Sequence, residues 1–162
     1  MMEEFATWSQ VKVEDPADAA AVAQVEDDLG IDRLGLETAT RLAETIFELA
    51  PKPVVVRVES PSQCVFHGAQ DGTNRFNGVA VERKIATVMA LGHSTLWWNK
   101  LLAARGSTQA DHPLVDDDLY TDIPGGFPLR VAGQLVGAAA VSGMAPLEDH
   151  ALVIAGLRAI AS

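Results

Sequence analysis

Apolar positions recur at helical spacing over residues 36–50. Leu36, Ala39, Ala43, Ile46, Phe47 and Ala50 share one stripe, and Glu37, Arg41, Glu44 and Glu48 lie opposite. Pro51 and Pro53 end that helix. Ahead of it, residues 17–29 are alanine-rich with high helix propensity, and Gly30 stops them. The connection 31–35 has the length for an edge strand. Residues 54–59 are β-branched and apolar, and 63–69 alternate Cys64 and Phe66 against Val65 and His67. With Ser60-Pro61-Ser62 as the turn, the two runs predict a hairpin.

Residues 70–78 read as a polar loop with two glycines. Helical spacing returns through Val81, Ile85, Val88 and Met89 over residues 79–91, closed by Gly92. Ser94 or Thr95 can cap a second helix carrying Trp97, Trp98, Leu101 and Leu102, ended by Gly106. An acidic loop, 107–124, contains Asp116-Asp117-Asp118. Residues 127–131 and 134–141 predict a second hairpin about Ala132-Gly133. Pro146 opens a last helix whose buried face is Leu152, Val153, Leu157 and Ile160. Two antiparallel hairpins merging into one sheet under helices make an α+β fold, not a parallel Rossmann-type one.

Composition bounds this picture. The 162 residues, 48% of them hydrophobic, suit a single domain spanning 1–162 with its own core. Residues 1–16 show no periodicity and are expected to form a partly ordered acidic arm. A formal net charge of −10 opposes binding to nucleic acid or to an anionic membrane surface. The acid is concentrated: residues 1–50 hold twelve Asp and Glu against three Lys and Arg, whereas the rest is nearly neutral. No apolar run is long enough to span a bilayer, and no basic leader is visible, so a cytoplasmic protein is expected. The lone Cys64 excludes an intrachain disulfide and any paired-cysteine redox or zinc motif.

Several strings could carry chemistry. Gly125-Gly126-Phe127-Pro128 offers either a tight entry into the next strand or a backbone that approaches a ligand closely. Arg83-Lys84 is a basic pair in an acidic protein, able to hold a carboxylate or to pair with Asp or Glu of the same or a neighbouring subunit. His93 stands at a helix corner. His150 follows Glu148-Asp149 at a helix start, where the dipole favours a neutral imidazole. His93 and His150 are therefore the candidate acid/base residues. No HExxH, GxSxG or phosphate-loop spacing is present, and no metal site is expected. Trp97 and Trp98 point about 100° apart on a helix, so one can enter the core while the other meets a partner.

The ordered strings Glu82-Arg83-Lys84-Ile85-Ala86-Thr87-Val88, Gly92-His93-Ser94, Gly125-Gly126-Phe127-Pro128-Leu129 and Val141-Ser142-Gly143 with Glu148-Asp149-His150 resemble an uncharacterised bacterial and fungal family. That family is related to the haem-degrading (GlcG/HbpS-like) domains. The resemblance covers residues 30–160. It implies a profilin-like α/β/α fold with a five-stranded antiparallel sheet, and a homo-oligomer of dimers assembling into larger rings. It also implies a small-molecule ligand, with haem as one candidate cofactor. Relatives carry an aromatic about three positions before the Arg-Lys pair, and Ala80 stands there in this chain. Haem iron takes His, Met, Cys or Tyr. The chain offers His93, His150, Met144 and Tyr120 without selecting among them.

Three functions follow as expectations. The first is a small-ligand-binding oligomer with a site built from Arg83, Lys84, His93, Gly125, Gly126, Phe127, Glu148, Asp149 and His150. The second is an enzyme on a small metabolite using His93 or His150. The third is a non-catalytic oligomeric scaffold.

Overall fold

The valines of residues 55–58 are stiff at χ1 and favour a pleated strand, and they form one of the two inner strands of the sheet. In a computed structural model, which describes residues 7–161, that strand is β1 (Val55–Glu59). It pairs antiparallel with β2 (Cys64–Ala69) on one side and β4 (Gln134–Ser142) on the other. β3 (Gly126–Val131) closes the order β2-β1-β4-β3. The two hairpins therefore zip together through β1 and β4, with Val55 opposite Ser142 and Glu59 opposite Ala138. Between β3 and β4 the chain turns at Ala132 and Gly133, both at positive φ (50° and 80°), the two-residue turn that suits strand twist.

The expected five-stranded sheet has four strands. Residues 31–35 add no fifth one: Ile31 N–H donates a single bond, 2.9 Å, to Arg130 C=O on the outer edge of β3. Gly35 then caps α2 (Leu36–Leu49), so the connection leaves the edge before a ladder can form.

Helices cover both faces. On one face α2 and α5 (Pro146–Ala161) pack over Val56, Val58, Phe127, Leu129, Ala139 and Val141. The opposite face is narrower: α3 (Arg75–Leu91) lies over Val55, Ala138 and Ala140 through Val81, Ile85 and Val88. Small alanines on β4 let α3 approach closely. α4 (Thr95–Ala104) follows α3, and α1 (Ala19–Asp28) packs on α4. The result is the α/β/α layering of an α+β fold.

α3 begins earlier than the apolar spacing indicates. Asn74 caps it, accepting from Phe76 N–H at 3.0 Å, while Asn77 reaches back to Asn74 N–H at 3.0 Å. Residues 1–6 of the expected arm lie outside the described residues. From Thr7 onward, Trp8 and Val11 pack against the larger core. Among the described residues no helix is long and apolar enough to cross a membrane.

Candidate functional site

Lys84 falls between Val81 and Val88 on the buried face of α3, so helical spacing carries its ammonium inside. Nζ donates to Val141 C=O at 2.8 Å and to Asp149 Oδ2 at 3.3 Å. The second oxygen of Asp149 accepts from Met144 N–H at 2.9 Å. Gly125, at φ +131°, passes so close that a Cβ there would sit 2.6 Å from both Lys84 Nζ and Val141 O. Only glycine fits. Burial lowers Lys84 from its usual range and raises Asp149 to about 6, and their mutual attraction opposes both changes.

Lys84, Gly125 and Asp149 therefore form one buried cluster joining α3, the entry to β3, the end of β4 and the start of α5. Gly126 stands beside it, with its N–H donated to Thr95 Oγ1 at 3.0 Å. Glu148 accepts from Ala145 N–H at 3.2 Å and steadies the first turn of α5.

Arg83, one residue along the helix, points elsewhere. Nη2 donates to the carbonyls of Tyr120, at 2.7 Å, and Asp117, so Arg83 holds the acidic segment 107–124. The basic pair does not act as a pair.

His93 is set apart as well. Its Nδ1 lies 2.7 Å from Glu26 Oε1, and its ring stacks on Trp97 with centroids 4.1 Å apart. Glu26 is fully enclosed. It also accepts from Ser94 N–H at 3.0 Å and faces Arg130 at 3.5 Å. This network ties α1 to the α3–α4 corner. Trp98 enters the core and donates Nε1–H to Gln109 at 3.0 Å.

His150 is the remaining candidate, and it is 5% exposed. Its ring meets Phe127 edge-on, centroids 5.6 Å apart. Burial lowers it to about 4, so it is neutral at pH 7. Its Nδ1 is buried and has no hydrogen-bond partner. His150 lines a cavity of about 30 Å³, with Lys12, Glu14, Val22 and Arg158 in the same wall. That volume holds about one water.

The roomier hollows differ. One of about 610 Å³ lies against Pro51, Pro53 and Gln70 and another of about 470 Å³ against Arg83 and Asp122, neither with His, Met, Cys or Tyr in its wall, whereas one of about 100 Å³ lies against Trp98, Leu114 and Tyr120. His150 shares its cavity wall with Lys12, whose side chain is 85% exposed and faces Glu14 at 4.0 Å, and with the exposed Arg158. Haem iron takes a neutral imidazole and haem propionates take cations, but a space for one water does not hold the macrocycle as it stands.

Pattern reading missed Glu26, which looks like one more solvated acid on an acidic helix. It also missed Arg158, although 150, 154 and 158 share a helix face at four-residue spacing, a signal available in the chain.

Comparison with known proteins adds to this geometry. A UPF0303 protein of Streptomyces coelicolor is 32% identical over 146 residues, covering 86% of this chain and 92% of the relative. Among solved structures, the Ybr137w protein superposes with TM-score 0.78 at 20% identity, covering 91% of this chain and 89% of that one. A double mutant of Streptomyces reticuli HbpS matches with TM-score 0.65 at 25% identity, covering 79% and 87%. A haem complex of PduOC matches with TM-score 0.66 at 18% identity, covering 81% and 95%. The model described as haem degrading protein HbpS-like matches residues 34–158, so the chain belongs to the HbpS-like family.

Proposed function

We propose that this protein is a homo-oligomeric binder of a small ligand, and that haem or another flat anionic cofactor is that ligand. One observation supports the reading: His150, buried and neutral, keeps Nδ1 unpartnered, and the residue shares the wall of a small cavity with Lys12 and Arg158, whose side chains reach solvent. Buried polar atoms are nearly always paired, so an orphan nitrogen marks a place where a ligand or water belongs. In this reading His150 holds the iron, and Lys12 and Arg158 take the propionates. Bound haem would supply iron-centred redox chemistry. The space of about 30 Å³ requires the wall at Lys12 and Glu14 to give way on binding. Family membership and the haem complex of a structural neighbour support the choice of haem over other flat anions.

The assembly is supported by apolar side chains left in water. Phe76 and Val79, 84% and 51% exposed, are one turn apart on α3, and Leu114, Leu119 and Ile123 stand out from the 107–124 segment. A second copy covering them removes that exposure.

The test is a haemin titration of protein purified without added haem, followed in the Soret region, with light scattering of the same sample. The reading predicts a saturable red-shifted band and a mass above that of one chain. A spectrum equal to free haemin at every ratio removes haem, and a monomer at micromolar concentration removes the assembly.

A second reading rests on the same nitrogen. A neutral imidazole beside room for one water is also what a general base on a small metabolite requires. Loss of a measured turnover in His150→Ala with assembly intact would select it.

A further inference from the structure

Residues 11–16 form neither helix nor strand. Lys12, Glu14 and Pro16 line the cavity at His150, while Val13 is 43% exposed and the Asp15 side chain 65%. That alternation is what an extended chain produces. The rest of the wall is helical, with Val22 from α1 and His150, Ala151 and Ile154 from α5.

The segment is fixed at its two ends. Val11 packs against the larger core, and Asp18 caps α1 by accepting from Ala21 N–H at 2.9 Å. Between them, among the described residues, no backbone group of 12–17 bonds to another backbone group. One polar contact crosses from these residues to the body of the molecule, Lys100 Nζ on α4 donating to Asp15. A wall held by so few bonds opens at lower free energy than the helices beside it. His150, 5% exposed, is sealed by it.

We infer that residues 12–17 are a lid over His150, latched by Asp15 on Lys100, and that a small ligand reaches the imidazole when the lid lifts. The inference rests on the reading of His150 as the ligand's contact. With the lid down, room for about one water remains in the cavity. The latch is partly exposed, 19% at Lys100 and 65% at Asp15, so it shifts opening by up to about fivefold, and salt weakens it.

Carbethoxylation by diethyl pyrocarbonate at pH 7.5, resolved by peptide mass spectrometry, reads access to His150, with the exposed His67 as internal standard. Lys100→Ala is expected to speed modification of His150 about two- to fivefold relative to His67. Asp15→Ala, at a more exposed position, is expected to do the same and keeps the test decisive should the first variant fail to fold. The charge swap Asp15→Lys with Lys100→Asp is expected to restore the slow rate. Amide exchange should rise in residues 12–17 and stay unchanged in β1 and β4. An unchanged rate at His150 in both single variants overturns the inference, as does exchange that rises equally in β1 and β4, since general unfolding then exposes the ring. Haemin mixed with the same proteins separates this lid from the haem reading. Faster modification with a free-haemin spectrum throughout bears out the lid and removes haem, whereas a haemin band forming at one rate in all the proteins overturns the lid as the ligand's route.

Discussion

Lys84 Nζ lies 3.3 Å from Asp149 Oδ2, with 2% and 4% of the two side chains exposed. A pair so enclosed contributes less to net stability than its attraction alone implies, since both charges gave up hydration. Removing one partner is a different matter. Lys84→Met leaves a carboxylate buried alone and is expected to cost about 3–5 kcal/mol in urea denaturation. The double variant Lys84→Met with Asp149→Leu is expected to lose less than the sum of the two singles. Additive losses would show that the pair is not coupled.

Asp149 and His150 are neighbours on α5 and respond to acid in opposite senses. His150 drops to about 4 on folding, so it is neutral and costs nothing above about pH 6.5, and stability falls as pH descends toward 4. Asp149 rises to about 6, so its contribution is greatest when protonated and is lost as pH climbs from about 4 through 6. Each window corresponds to roughly 3 kcal/mol, and the two nearly cancel between pH 4 and 6. Denaturation across that range should therefore separate the variants. Asp149→Asn is expected to lose stability steeply with acid, and His150→Phe to gain it. Parallel profiles for the two variants would contradict the assignment.

Gly125 has no room for a side chain. At φ +131°, with Lys84 Nζ and Val141 O both 2.6 Å from the position of a Cβ, Gly125→Ala is strained and overlapped together. A loss of about 2–4 kcal/mol is expected in chemical denaturation. A loss below about 0.5 kcal/mol would mean that the close approach is not kept in solution.

Arg83 restrains the acidic segment through the carbonyls of Asp117 and Tyr120. Arg83→Met is expected to speed amide exchange across residues 115–122 by about tenfold or more while the exchange of β1 and β4 is unchanged. Equal exchange in that segment would place its restraint elsewhere, with Gln109, which donates to Asp117 at 2.7 Å and to Tyr120 at 3.0 Å.

Element types were legible because periodicity is a local signal. The two hairpins and Pro146 sit where the pattern puts them, and Ala39, Ala43 and Ile46 of the 36–50 stripe are buried, but Leu36 is 67% exposed and the buried face runs instead through Leu42 and Leu49. The start of α3 was hidden because Asn74, Asn77 and Gly78 are loop-type residues in composition, and only their reciprocal capping makes them helical. The fifth strand failed for a reason of length, Gly35 turning the chain into α2 after one ladder bond.

The candidate site was legible in part. Lys84, Gly125 and Asp149 meet, and Phe127 meets His150, as the ordered motifs allowed. Nothing local shows that Arg83 turns away from Lys84, or that an acid on α1 encloses His93. Those facts depend on how distant elements dock, which pattern reading does not reach.

An unpartnered nitrogen of a neutral imidazole near the start of α5 is what the functional account depends on. The sharpest check is the Soret spectrum of haemin-loaded His150→Phe beside the unaltered protein at pH 7.5, with both confirmed folded by circular dichroism. The account predicts a saturable band for the unaltered protein and only a free-haemin spectrum for the variant. The same band at the same affinity in both would contradict it.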